Sequence, residues 1–530
     1  MQDLSSIDFG LLEHFFAERT LGASFSEESA FFLKSLMRDA RQGHLCMKPQ
    51  GELLRYTEAL PPSIIEEGKT LFPKTPIVRQ ADRYYLQKNW VYETAILDQY
   101  KRLKALPQPP FHDELIFQKE LQKGLDEGKI LPQQAKAMAA SFQRAFSLIT
   151  GGPGTGKTYT ASFFVRLLLN SLKKETFRIY LAAPTGKAAS HLQSALLSQG
   201  SHPALKMETT TLHRLLRLQP GENRLFSQKK IDADLVLVDE ASMIDTSLLA
   251  HLLASIGDQT RLILMGDPDQ LPPIDAGGLF GEMAALIGSP LQRSMRTDSV
   301  HLQELATAIN RGDSTKIEEF LDTSWGFNEE LKEKLFGELP ASIFSEQPDP
   351  SVCLRELSRF RILGALRQGP YGIDALNRYM VDKIGRQIRT GQWWALPIMI
   401  HANEPRLNLY NGSSGVLIGQ SKKGFKLREG TAYFQFGEEI RSYKEFPSCE
   451  VSFCLSIHKS QGSEFDSVLA LFPQGSENFG REALYTAVTR AKKKVQIVGE
   501  REVLERMLAQ RSRRMSGFTD RLKAPGLSGG

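Results

Sequence analysis

The sequence is poor in cysteine, lacks long apolar runs and carries no strong excess of charge of either sign. Its four cysteines, Cys46, Cys353, Cys449 and Cys454, include no CxxC pair, which removes the ligand spacing of common zinc and iron–sulfur sites. Thiols scattered in this way read as reduced side chains of a cytosolic protein. No stretch reaches the roughly 18 apolar residues needed to span a bilayer. The first residues, MQDLSSIDFG, lack the basic start and apolar run of a secretory leader. A soluble, cytoplasmic protein is therefore expected. Lysine and arginine number 66 against 61 acidic residues, a net charge of +5. That balance is compatible with binding a polyanion but does not argue for it. No internal repeat is visible.

At 530 residues the chain exceeds the roughly 250–300 that one hydrophobic core supports, so several domains are expected. Residues 1–110 carry helical patterning (LLEHFFAERTL, SAFFLKSLMRDA, YETAILDQYKRL) without a catalytic motif, and predict a mostly helical amino-terminal domain suited to docking a partner. The proline-rich KALPQPPF reads as a linker. Over 111–290 the apolar strands FSLIT, RIYLAAP, LVLVDE and LILMGD alternate with helical segments, the signature of a parallel sheet with crossover helices. The same pattern returns over 291–394 and 451–510 with RILGAL, VLALFP and VQIVG. Between these parts, residues 395–450 offer short strands broken by NG, GSSG and KKG turns, which predicts an inserted SH3-like β-barrel. Residues 511–530 read as a flexible basic tail. The expected class is α/β, with two parallel-sheet P-loop domains.

The most informative segment is Gly151-Gly152-Pro153-Gly154-Thr155-Gly156-Lys157-Thr158. It fits GxxxxGK[ST] and lies between the strand FSLIT and the helix TYTASFFVRLLL, where a phosphate-binding loop must lie. The glycines let backbone N–H groups face the phosphates at a helix N-terminus. Lys157 would pair with the β- and γ-phosphates of ATP, and the Thr158 hydroxyl would coordinate Mg²⁺. Downstream, Leu235-Val236-Leu237-Val238 predicts a buried strand that delivers Asp239 and Glu240 at its carboxyl end. Asp239 would hold Mg²⁺ through water, and Glu240 would activate the attacking water. Gln134, on a helix before the loop strand, suits an adenine edge, although alone it reads as a solvated helix residue. In Gly266-Asp267-Pro268-Asp269-Gln270-Leu271-Pro272-Pro273 a proline-stiffened turn would aim Gln270 at the γ-phosphate.

The ordered set GGPGTGKT, LAAPTGKAAS, TTTLHRLL, LVLVDEASMID, GDPDQLPPIDAG, LQRSMR, SIHKSQGSEFD and LYTAVTRAKKKV resembles the motif series of superfamily 1 DNA helicases. The wording is most similar to the RecD-type branch, the helicase subunits of exodeoxyribonuclease V. QGHLCM and NWVYETAI also look like the amino-terminal domain of that branch, which argues against its longer stand-alone relatives. The resemblance implies two RecA-like domains with ATP and Mg²⁺ between them, and Gln461 and Gly462 beside the nucleotide. Arg490 and Arg296 would be arginine fingers from the second domain; Met295 stands where many relatives have an aromatic residue. It further implies DNA contacts from Pro184, Thr185 and Lys187, from Thr211 and His213, and from His458, Lys459 and Ser460 with Glu464 nearby. The implied activity is ATP-driven 5′-to-3′ unwinding of DNA in double-strand-break repair. The implied assembly is a heterotrimer with RecB-like and RecC-like subunits, one of which holds the nuclease centre.

Two features stay open. The segment LRLQPGENRLFSQKKI, about 216–232, forms either a β-hairpin pin tipped by Pro220-Gly221 or a plain surface loop. Trp393, Trp394 and Tyr410 border the inserted barrel and belong in its core, although such aromatics also suit base stacking. A switch ATPase would use the phosphate loop yet leave IHKSQGSEFD and TAVTRA without work.

Overall fold

The computed structural model describes residues 9–200, 202–218, 229–293, 300–321, 326–402, 404–407, 409, 411–422, 424–436, 439–444, 448–512 and 514–524. The amino-terminal part opens with helices Leu11–Leu21 and Glu27–Arg41, the second capped by Ser26, whose Oγ accepts from the Ser29 N–H at 3.2 Å. Beside the expected helices it holds a small sheet. Strands β1 (Cys46–Met47), β2 (Ile65–Glu67), β3 (Ile77–Gln80) and β4 (Arg83–Leu86) form a sheet in the order β1-β4-β3-β2. Strands of two to four residues are too short for alternation to register in the sequence. Phe32, Leu33, Met47, Ile77 and Tyr84 share one core between sheet and helices, and the long helix Gln87–Ala105 leads away to the next domain.

That domain is built on six parallel strands: β5 (Phe146–Gly151), β6 (Phe177–Ala183), β7 (Leu205–Thr211), β8 (Leu235–Val238), β9 (Arg261–Gly266) and β10 (Gly288–Leu291), in the order β10-β5-β9-β8-β6-β7. The continuous apolar run of β8 has a direct cause. Val236 and Val238 enter the core on one face of the sheet, and Leu235 and Leu237 enter the core on the other. A strand buried on both faces needs apolar residues at every position, and each contributes about 1.5–3 kcal/mol on burial.

The second parallel sheet has the order β17-β11-β18-β19, from β11 (Phe360–Gly364), β17 (Cys454–Ser456), β18 (Phe465–Phe472) and β19 (Ala491–Gly499). Between β11 and β17 lie β12 (Trp393–Ile400), β13 (Ser414–Gln420), β14 (Thr431–Phe436), β15 (Glu439–Tyr443) and β16 (Cys449–Val451). They form an antiparallel sheet in the order β15-β14-β13-β12-β16. The described residues do not show the expected SH3-like closure. Among the described residues β15 and β16 share no ladder, and the sheet buries its inner face against helix Pro350–Leu357 rather than closing on itself. Trp394, Phe434, Ile362 and Leu376 therefore belong to a single core. Trp394 meets Phe425 edge-on and covers Gly419 and Gly430, where a Cβ would come within 2.3 and 2.6 Å of its ring. Trp393, by contrast, is 36% exposed, and Tyr410 lies outside the described residues. No described helix is long and apolar enough to cross a membrane.

Of the residues expected as a flexible tail, 514–524 form a strap. They return to the amino-terminal part and pin it to the first parallel-sheet domain. The Leu45 N–H donates to the Met515 carbonyl at 2.8 Å, the Met515 N–H donates to His44 Nδ1 at 2.8 Å, and Arg514 Nη1 donates to the Gly277 carbonyl at 3.0 Å. Thr519 Oγ1 donates to Glu282 at 2.6 Å. At its centre Arg521 pairs with the buried Glu93 at 3.0 Å, lies 3.8 Å from the Trp90 ring centroid and donates to Thr94 Oγ1. Basic residues near a chain end resemble a solvated tail because the sequence does not show the buried carboxylate that receives them. Removing one partner of a buried pair costs about 3–5 kcal/mol. Arg521→Ala is accordingly expected to lower the midpoint of thermal unfolding by several degrees; an unchanged melting curve would show that the strap does not hold these parts together.

Candidate active site

The phosphate-binding loop takes the shape its glycines permit. Gly154 and Gly156 adopt φ of 72° and 82°, a left-handed conformation that costs a residue with a Cβ about 1–2 kcal/mol. Helix Lys157–Asn170 starts directly after them. Lys157 Nζ donates to the carbonyls of Gly151 and Gly152 at 2.7 and 3.1 Å, so its ammonium lies in the cradle of the loop. Thr155 Oγ1 donates to the Gly152 carbonyl at 2.8 Å. A Cβ on Gly152 would stand 2.9 Å from the Tyr485 hydroxyl, which is why a glycine is required there.

At the carboxyl end of β8 the Asp239 N–H donates to the Ala182 carbonyl of the neighbouring β6, and Asp239 Oδ1 accepts from the Glu240 N–H at 2.8 Å. Glu240 holds φ 52° and ψ 39°, unusual for a residue with a side chain and of the kind found at functional sites. Burial pushes both carboxyls above their ordinary range. Lys157 draws Asp239 back down, whereas the charge of Asp239 raises Glu240 further against Arg490 and Lys157. A carboxylate so placed is a stronger base than one in water.

Asp267 accepts at one carboxylate oxygen, Oδ2, from the Tyr485 hydroxyl at 2.9 Å and from Gln270 Nε2 at 3.3 Å. Gln270 Oε1 is buried without a partner, an acceptor free for a water or substrate donor in the cleft. Facing these groups is Arg490, 3% exposed, whose Nε donates to the Thr486 carbonyl and Nη1 to the Ser463 carbonyl, each at 3.2 Å. The resulting cleft, about 410 Å³, is lined by Pro153, Gly154, Gly156, Lys157, Thr158, Asp239, Glu240 and Gln270 from one domain and by Gly462, Ser463, Glu464 and Arg490 from the other.

Several residues lie elsewhere than the sequence suggested. Gln134 is not a solvated helix residue. It is 1% exposed, its Oε1 accepts from the Leu131 N–H at 2.9 Å, and its Nε2 is buried without a partner. Gln461, expected beside the nucleotide, instead donates to the Leu271 carbonyl at 3.1 Å and braces the proline-stiffened loop. Lys187, expected on DNA, reaches into the nucleotide cleft and donates to Ser463 Oγ at 2.9 Å. Ser460 is fully buried with its hydroxyl donated to the Ile457 carbonyl at 2.7 Å, so a strand cannot reach it here. Lys459 pairs with Glu450, and burial lowers the pKa of the half-buried His458.

Pro184, Thr185, Thr211 and His213 gather at the carboxyl ends of β6 and β7, with Thr185 capping helix Gly186–Leu197 and His213 exposed. Met295, Arg296 and the tip of the candidate pin at Pro220-Gly221 lie outside the described residues. Reasoning from sequence missed Asp267 and Tyr485 as a bridge between the domains. The motif LYTAVTRA already contained Tyr485, but nothing in it indicated its partner.

Residues 134–276 match the family described as AAA domain, and residues 452–498 match the UvrD-like helicase C-terminal domain. The chain is 31% identical over 491 residues to the RecBCD enzyme subunit RecD of Mycolicibacterium smegmatis, covering 86% of this chain and 85% of that one. It is 27% identical over 527 residues to the RecBCD enzyme subunit RecD of Haemophilus influenzae, covering 84% and 80%. It is also 27% identical over 483 residues to the ATP-dependent RecD2 DNA helicase of Deinococcus radiodurans, covering 87% and 61%.

Tyr485→Phe removes one hydrogen bond to a charged group while keeping the ring. It should slow ATP turnover by about tenfold with an unchanged melting curve, as a coupled-enzyme assay beside thermal unfolding would show. Unchanged turnover would remove the hydroxyl from the working cleft.

Proposed function

The chain belongs to the RecD family of helicase subunits, and from that premise we propose that it is the 5′-to-3′ motor of a cytoplasmic RecBCD-type exonuclease V complex. In this reading it forms a heterotrimer with RecB-like and RecC-like subunits in double-strand-break repair and homologous recombination, with the nuclease centre on a partner subunit. It is an ATP-dependent DNA helicase. The observation that carries the reading is the two-sided cleft, in which Lys157, Asp239 and Glu240 of one domain face Arg490 of the other.

ATP placed there has Lys157 at its β- and γ-phosphates, with Glu240 as the base that orients and deprotonates the attacking water. Gln270 offers its free Oε1 to the same water. The buried, partnerless Nε2 of Gln134 suits an acceptor on the adenine edge. The oxygen donors Thr158 and Asp239 fit the hard-cation preference of Mg²⁺, which when bound would neutralise charge on the β- and γ-phosphates. Arg490, with Arg296 by family resemblance, acts as an arginine finger, so cleft closure and hydrolysis are linked.

Coupling to DNA has a physical route. The loop that carries Gln270 is held from the second domain at three points. Its Leu271 N–H donates to Thr486 Oγ1 at 2.9 Å, its Leu271 carbonyl accepts from Gln461, and its Asp269 accepts from Asn310 at 3.1 Å. Nucleotide-driven motion would reach Pro184, Thr185, Thr211 and His213 on one domain and His458 and Lys459 on the other. Groups of this kind position a strand through its phosphates without reading its sequence. Base-pair stacking costs about 1.4 kcal/mol per step, well within one ATP per nucleotide. For partner docking the helix Leu11–Leu21 offers Leu11, 90% exposed, with Leu12 and Phe15 beside it.

Strand displacement from duplexes with a 5′ or a 3′ single-stranded tail tests the proposal, with partner subunits added where the chain alone is silent. Unwinding from the 5′ tail, abolished by Lys157→Gln, is the expected result; unwinding from the 3′ tail alone would overturn the polarity. Arg490→Ala should cut ATP turnover by about 10³–10⁵ while leaving the fold intact, and a drop of less than tenfold would remove the arginine from the reaction. ATP hydrolysis indifferent to DNA would favour a switch ATPase.

A further inference from the structure

Lys187 has no part in the mechanism above, yet the structure sets it inside the cleft. It lies in the first turn of helix Gly186–Leu197, which follows β6. Because β6 and β8 are hydrogen-bonded neighbours, with Ala182 opposite Val238, that turn sits beside the strand end that delivers Asp239 and Glu240. Its Nζ crosses to the second domain and donates to Ser463 Oγ at 2.9 Å. The side chain lines the cleft between the domains and stays exposed at its mouth. Desolvation in the cleft, with Arg361, Lys492 and Arg490 nearby and Glu464 opposing them, lowers the pKa of its ammonium to about 8. A cation among cations, hydrogen-bonded to a neutral hydroxyl, stands in a field that favours an anion at that place.

We propose that Lys187 binds the terminal phosphate of ATP, its ammonium leaving Ser463 Oγ for a γ-phosphate oxygen. This rests on the cleft being the ATP site, and it reassigns a residue whose family resemblance pointed to DNA. Lys187 comes from the first domain and Ser463 from the second, so the exchange makes that interdomain hydrogen bond depend on whether a γ-phosphate is present. ADP, which has none, leaves the bond to Ser463 in place. Lys187 then distinguishes the triphosphate from the diphosphate, a task for which Lys157, seated in the loop that holds both, is poorly placed.

The test uses the full-length chain with Lys187→Met and Lys187→Arg. Fluorescent ADP and a non-hydrolysable ATP analogue are titrated separately, and oligo(dT) is titrated without nucleotide. In Lys187→Met, ADP affinity should stay within about twofold of the parent, which also verifies that the fold is intact. Affinity for the ATP analogue should fall by about tenfold or more, the scale of one hydrogen bond to a charged group. Lys187→Arg should recover part of that loss, and oligo(dT) affinity should not change. An unchanged ratio of analogue to ADP affinity would overturn the proposal, as would a loss confined to oligo(dT). Failure of the parent chain to bind either nucleotide would instead overturn the ATP-cleft reading beneath it, so the two failures are distinguishable.

Discussion

Two carboxylates side by side at the buried end of one strand are costly, and the architecture of this protein is organised around offsetting them. Asp239 and Glu240 repel each other and lose hydration, and both respond by holding protons more tightly. Lys157 offsets part of this from the phosphate-binding loop, on a neighbouring part of the same sheet. At Glu240 the larger offset comes from Arg490, which belongs to the other domain. Neither domain alone completes the electrostatics of the cleft, so the state of the cleft depends on how the domains meet. Nucleotide phosphates add negative charge to the same space and strengthen the demand for cations from both sides.

The second consequence is mechanical. Where the domains touch, hydrogen bonds with definite partners surround the apolar contact that Leu271 makes with the core of the second domain. The Tyr485 hydroxyl meets Asp267, Thr486 and Gln461 hold the backbone of Leu271, Asn310 holds Asp269, and Lys187 holds Ser463. Directional bonds of this kind can be exchanged one for another without unpacking a core. In the first sheet the central strands β8 and β9 are buried along their whole length, which leaves motion to the loops at their carboxyl ends.

The outer parts serve the same division. The helix Gln87–Ala105 and the strap 514–524 fasten the amino-terminal part to the first motor domain through a buried ion pair and a cation–π contact at Arg521. The antiparallel insertion shares its core with the second domain, so it follows that domain as one body.

What the sequence by itself determined are the features whose cause is local. The loop Gly151–Thr158 needs glycines where φ is positive, and its helix begins where they end. LVLV spells a strand covered on both faces, and the carboxylates must follow it. The order of the motifs identified the family because each one is a short stretch with its own geometry. The amino-terminal sheet was illegible because its strands are shorter than a pattern.

The destinations of Lys187, Gln461 and Arg521 were illegible for a different reason. Lys187 meets Ser463 across 276 positions, Gln461 meets Leu271 across 190, and Arg521 meets Glu93 across 428. A hydrogen bond or ion pair acts over about 3 Å, so its partner is set by where the chain returns. Only the tertiary structure decides which lysine faces nucleotide, which serine is sealed in the core and which basic tail is a strap.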